Sequence, residues 1–266
     1  MIPAQVAISK IRRDITVSAI VRWALVTAAL FAIFAGLFFE DPQTITLSVL
    51  LMIGAIWIIL GFRSMRGTRA TAASSSLIAT GQFEQAERQI VDAVQRFSIF
   101  RMAKLMCLHD LAILRHAQNQ WQESAMICRA LLSTQGSGSG LDRSSRLILA
   151  ESLLELGDLS GVHESLARLY EQRLSLREAL VLLGVQLDYL SRVNAWEQML
   201  VSVRQRVEMS ELLPPQQSGR MQALIALAAD KTGHPELRDW LKRRVELICD
   251  VERLCQDRPI LRELWK

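Results

Sequence analysis

A short stretch, Gly81-Gln82-Phe83-Glu84-Gln85-Ala86, returns along this chain at almost constant distance, and that recurrence restricts the fold more than any other feature. Asn119-Gln120-Trp121, Gly157-Asp158-Leu159, Asn194-Ala195-Trp196 and Gly233-His234-Pro235 follow at intervals of 38, 38, 37 and 39 residues. A period this regular marks an array of like units, each burying its apolar face on the next. Within a unit, Gly or Asn supplies the left-handed backbone that ends one helix. An aromatic residue two positions on fills the corner. Ala86 lets the second helix approach closely, and Ile90 and Ala93 continue that face. Leu108, Leu111 and Ala112 before Asn119, and Leu149, Ala150 and Leu153 before Gly157, supply the packed face of the preceding helix.

On these residues the chain resembles the tetratricopeptide repeat family, over roughly residues 70–255. The order of glycine, aromatic, small and apolar residues after a first helix is closest in the first two units. Departures accumulate along the chain: Asn stands for Gly in the second and fourth units, at 119 and 194, Leu159 for the aromatic, Met199 and Arg238 for the small residue, and Pro235 sits at the fifth aromatic position. The period also exceeds the family's usual 34 or so residues, so longer helices or a HEAT-like solenoid fit as well. The resemblance implies helix pairs whose first helices line a concave groove for an extended or helical peptide. Stepping one period at a time places His109, His116, Glu151, Glu155, Asp188, Arg192 and Asp230 on that groove. Their excess of carboxylates points to a basic or amide-rich segment.

Before the repeats, Trp23 to Phe39 and Ile45 to Phe62 are uncharged runs of 17 and 18 residues. At about 1.5 Å per residue, each spans most of a bilayer's hydrocarbon core. Glu40-Asp41-Pro42-Gln43-Thr44 between them has room for no more than a hairpin tip. Lys10, Arg12, Arg13 and Arg22 precede the first run, Arg63, Arg66 and Arg69 follow the second, and the tip holds no Lys or Arg. Both termini are therefore expected on the cytoplasmic side, in an integral protein of a bacterial inner membrane. Residues 1–22 place Ile8, Ile11 and Ile15 on one side, which suits either an interfacial helix or a disordered tail. Ala28, Ala32 and Gly36 recur at every fourth position. That stripe packs on Ser48, Gly54 and Ala55 of the return helix or docks on another membrane protein.

The expected fold is all-α: two transmembrane helices followed by an α-solenoid of about five helix pairs. Its parts are a segment 1–22, a hairpin 23–62, a repeat domain 63–255 and a tail 256–266, and residues 70–266 are expected to be soluble alone. Gln135–Gly140 reads as a loop between repeats, Pro214-Pro215 as a break, and 235–255 as one capping helix stopped by Pro259. Ile260, Leu261, Leu264 and Trp265 cover the end of the stack or dock elsewhere.

The net charge of +4 is spread among nearly as many acidic as basic residues, which gives no nucleic-acid stripe. Cys107, Cys128, Cys249 and Cys255 form no C-x-x-C pair, and the four histidines complete no metal set. No phosphate loop, nucleophile elbow or dinucleotide fingerprint occurs. His109 and Asp110 are adjacent on a helix and diverge by about 100°. No enzyme, cofactor, metal or small-molecule substrate is expected. The partners expected are the bilayer and one or more proteins, integral membrane proteins among them. The function expected is a membrane-held scaffold or assembly factor, the alternative a structural subunit of a larger membrane complex.

Overall fold

The computed structural model describes the backbone of residues 2–35, 42–134 and 140–265, and side chains in those ranges other than at 35, 42–46, 63 and 65–72. Gly36, the start of the hairpin tip, the side chains of Arg63, Arg66 and Arg69, and Gln135–Ser139 lie outside the described residues. The described chain is all-α, with no strand. It divides into two compact units, Met1–Ile148 and Leu149–Lys266.

The first unit contains α1 (Ala4–Ala35), α2 (Pro42–Ala72), α3 (Ser74–Ala79), α4 (Phe83–Gln95), α5 (Arg101–Ala117), α6 (Trp121–Thr134) and the start of α7 (Gly140–Leu156). The boundary expected at residue 22 has no break in the backbone, because α1 runs straight through it. Its first half carries Ala4, Ala7, Ile11, Asp14 and Ser18, all buried. Their alternating spacing of three and four places them on one face, and α1 packs on α5 and α6. The segment is thus neither a tail nor a free interfacial helix. Of the three isoleucines expected on one side, Ile11 is buried against the protein, whereas Ile8 and Ile15 flank it half-exposed.

The second unit holds the end of α7, then α8 (Leu159–Tyr170), α9 (Leu176–Arg192), α10 (Trp196–Leu200), α11 (Val203–Ser210), α12 (Pro215–Lys231), α13 (Pro235–Ile248), α14 (Val251–Asp257) and a 3₁₀ helix (Pro259–Trp265). Its centre is α12. Met221 to Ala229 are buried all round, as in a helix enclosed by neighbours, and α9, α10, α11, α13, α14 and the 3₁₀ helix all touch it. Pro214-Pro215 does not interrupt the chain so much as open α12: Pro215 takes the first helical position, where its fixed φ and missing N–H cost nothing. Gly219 lies so close to Cys249 that a Cβ there would collide with its Sγ.

All five recurring residues adopt the left-handed conformation expected of them: Gly81, Asn119, Gly157, Asn194 and Gly233 have φ of 75°, 59°, 77°, 55° and 78°. Each turn is closed by the same two bonds. At the first, the Gly81 N–H donates to the Ile78 carbonyl at 3.1 Å and the Gln82 N–H to the Leu77 carbonyl at 2.9 Å, and the pattern returns at the other four. This Schellman closure satisfies carbonyls that a helix end leaves bare. Ala86, Ile90 and Ala93 are buried, as are Ser124, Val162 and Met199 one, two and three periods on. In the fifth unit Arg238 occupies that place, and the buried face passes instead to Leu241 and Val245.

Two helices expected as continuous are broken. The second helix of the fourth pair divides into α10 and α11 at Val201, which is extended, and Ser202, at φ 54°. Arg206 Nη1 bridges the break to the Met199 carbonyl at 3.0 Å. The 235–255 helix is α13 and α14, separated because Asp250 caps α14, accepting from the N–H groups of Glu252 and Arg253 at 2.9 and 3.2 Å. After Pro259, Leu261 and Leu264 are buried and the 3₁₀ helix packs on α12. The tail is therefore part of the second unit's core.

Candidate functional site

Two regions carry chemistry beyond ordinary packing. The first is apolar. From Ile20 onward α1 turns Trp23, Leu30, Phe31, Ile33 and Phe34 outward, with Trp23 70% and Phe31 75% exposed. On α2, Leu47, Leu51, Ile58 and Phe62 do the same. The apolar part of α1 is long enough to cross a bilayer, with a mean hydropathy of 2.0 and 11% of it buried, and α2 holds a shorter apolar stretch, Leu47–Phe62. The small residues expected to seal the two helices divide: Ala32 is buried, Ala28 is exposed, and Gly54 has open space where a Cβ would stand.

The second region is a polar cluster in the second unit. It brings together four of the seven residues assigned to a groove: Glu151 and Glu155 on α7, Asp188 and Arg192 on α9. Two residues that the periodic argument did not include complete it, Arg220 on α12 and Arg258 after α14. Arg258 Nη2 lies 2.7 Å from Glu155 Oε1, and its Nε 3.5 Å from Asp188 Oδ1. Arg192 Nη2 lies 3.3 Å from the same Glu155 oxygen, and its Nη1 donates to the Leu154 carbonyl. Arg220 pairs with Asp188, which is buried. Three carboxylates thus face three guanidinium groups, and the negative excess that pointed to a basic ligand is balanced within the chain. Arg220 and Arg258 stand far from α7 in sequence, so no spacing announced them.

Burial pushes the Glu151 carboxyl up to about 7, against the attraction of Arg220 and Arg258 and with the help of Glu155. Burial also acts on Glu155, but Arg258, Arg192 and Arg220 outweigh it and hold this carboxyl below its ordinary value. Arg220 is lowered to about 10 by burial and by Arg258 beside it. The cluster is a clamp between helices, since each guanidinium reaches a carboxylate from another element.

The remaining groove residues sit elsewhere. Asp230 lies ten residues along α12 from Arg220, about 15 Å away by helical rise, and pairs with Arg238 at 2.9 Å. In the first unit, His116 meets the Trp121 ring edge-on, 4.8 Å between centroids. His109 Nε2 is 2.8 Å from Ser144 Oγ, while its Nδ1 is 4.0 Å from Asp110. That outer distance is beyond a hydrogen bond, and Asp110 accepts instead from Ser74 Oγ at 3.2 Å. Asp110 therefore does not orient the His109 ring, which the Ser-His-Asp arrangement requires.

The break between α10 and α11 opens a cavity of about 290 Å³, lined chiefly by Leu182, Leu183, Gln186, Val201, Gln205 and Met209. Cys107 and Cys128 are buried, and burial pushes the Cys128 thiol up to about 12, which leaves it inert. No family model, curated protein or solved structure matches this chain.

Proposed function

We propose that this chain is a membrane-tethered helical-repeat scaffold, tetratricopeptide-like in its turns, that recruits a protein partner on the cytoplasmic face. The outward apolar faces of α1 and α2 carry the reading. Trp23, Phe31, Leu51 and Phe62 stand in solvent unless lipid covers them, and both helices are packed into the first helical unit. The hairpin crosses a bacterial inner membrane twice and returns, with seven Lys or Arg on its two flanks and none in the tip. The five like turns support the repeat architecture. The cavity beside α11 offers a place for a partner's apolar side chain.

A second reading, a structural subunit among other membrane spans, is favoured by the outward Ala28 and the open side of Gly54, small residues that fit close approach by another helix. A periplasm-active reporter inserted between Asp41 and Gln43 is expected to be active, and the same reporter after Lys266 silent; the reverse overturns the topology. Co-purification of the full chain in mild detergent then separates the two readings. Loss of a partner on Val201→Arg with Gln205→Trp supports recruitment, loss on Ala28→Leu with Gly54→Leu supports the structural role, and a partner indifferent to both pairs overturns both.

A further inference from the structure

The loop joining α4 to α5 is built unlike an ordinary connection. Ser98 and Ile99 are buried. The Ile99 N–H donates to Ser64 Oγ at 3.0 Å, and Ser64, itself buried, lies two residues past Phe62, where the apolar stretch of α2 ends. Ser98 Oγ accepts from the Phe100 N–H at 3.2 Å. Lys104 Nζ closes the other side: it donates to the Val94 carbonyl at 2.9 Å and to that of Arg96, and pairs with Asp14 of α1 at 2.8 Å. The loop is thereby fixed to both helices that lead into the apolar hairpin.

What it turns outward is specific in kind. Phe97 and Phe100 are each 38% exposed and Met102 56%, flanked by exposed Arg101 and by exposed Arg96, which pairs with Asp92 at 2.6 Å. Arg101 donates to the Thr134 carbonyl, and exposed Arg12 of α1 lies 3.4 Å from the neighbouring Ser133 Oγ, so two guanidinium groups converge at the end of α6. Aromatic side chains beside basic ones suit the headgroup layer of a bilayer, where rings sit among glycerol groups and cations meet anionic phosphates. Ser64, which holds this loop, follows exposed Phe62 of α2 by two residues.

We propose that Phe97, Phe100 and Met102, with Arg12, Arg96 and Arg101, form a second lipid contact, an interfacial anchor for anionic headgroups that sets the first helical unit down on the membrane surface. This rests on the reading of α1 and α2 as the membrane anchor. The full chain, reconstituted into phosphatidylcholine vesicles with and without phosphatidylglycerol, is irradiated with lipids carrying a diazirine either in the acyl tail or near the glycerol, and labelled peptides are read by mass spectrometry. The tail probe is expected to mark 23–34 and 47–62, and the shallow probe to mark 97–102, more strongly with phosphatidylglycerol. The Phe97→Ser, Phe100→Ser, Met102→Ser variant loses the shallow label and keeps the deep one. A labelled hairpin with an unlabelled loop overturns the second contact and leaves the anchor standing, whereas an unlabelled hairpin overturns the anchor and this inference with it. Equal loop labelling with and without phosphatidylglycerol overturns the preference for anionic headgroups.

Discussion

Lys104 illustrates how much one buried side chain binds together. Its ammonium is buried, joins Asp14 of α1 at 2.8 Å and caps the last carbonyls of α4 from within α5. Removing one partner of such a pair strands the other charge in a poor dielectric. Lys104→Met is expected to destabilise the full chain in detergent by about 3–5 kcal/mol in denaturant unfolding, and adding Asp14→Leu is expected to restore much of the loss. A double variant as unstable as the single one would show that the cap on α4, and not the charge pair, dominates. The turn residues test a different term. Gly157 has φ 77° with open space around its missing Cβ, so a substitution there meets backbone strain alone. Gly157→Ala is expected to cost about 1–2 kcal/mol, while Asn119→Gly, at φ 59°, is expected to be neutral or slightly stabilising. Equal effects at both sites would mean that the left-handed backbone is not what these positions are selected for.

At the scale of elements, the clamp of α7, α9, α12 and Arg258 makes stability depend on pH in opposite directions. Glu151 titrates near 7 when folded, because burial disfavours its charge, against an ordinary value of 4.5. Between those two values the folded chain holds a proton that the unfolded chain has released, so raising pH through this window removes stability. Glu155 has a lowered value through Arg258, Arg192 and Arg220; its contribution is present above the ordinary carboxylate range and is lost as pH falls. Glu151→Gln is therefore expected to gain about 1–2 kcal/mol relative to the parent at about pH 8, and nothing at about pH 4, after allowing for solvent screening. Circular dichroism melts at the two pH values check it. A gain independent of pH would exclude ionisation of Glu151 as the cause. The same clamp makes Glu151, Glu155 and Asp188 poor places to probe binding, since truncating them strands guanidinium groups between helices.

For the whole molecule, α1 and α2 cannot be cut from the first unit without cost. α1 and α2 both pack on α5, and Arg115, buried on α5, donates to the Ile2 carbonyl at 2.9 Å besides pairing with Glu87 and Glu123 at 3.0 Å each. The soluble fragment expected from the repeats alone then loses its seat. Residues 70–266 expressed alone are expected to aggregate or to melt at least several degrees below the full chain in detergent, because removal of Ala7, Ile11 and Asp14 uncovers the faces of α5 and α6. A monomeric, equally stable fragment in sedimentation and melting experiments would show that α1 and α2 are accessory.

Local chemistry was enough to read the apolar runs and the five turns from the sequence, because a left-handed turn residue and a run of uncharged side chains are each written within a few neighbouring positions, and the turns return at a period near 38 residues. It was enough, too, for the burial of Ala86, Ile90 and Ala93. What lay beyond it depends on residues far apart meeting. α12 as the centre of the second unit, α1 seated on α5 and α6, and Arg258 reaching Glu155 across 103 residues have no short-range pattern. A guanidinium on a helix looks solvated in sequence and becomes a clamp only when another element brings a carboxylate to it, so the tertiary structure alone decided which charges are free to meet a partner.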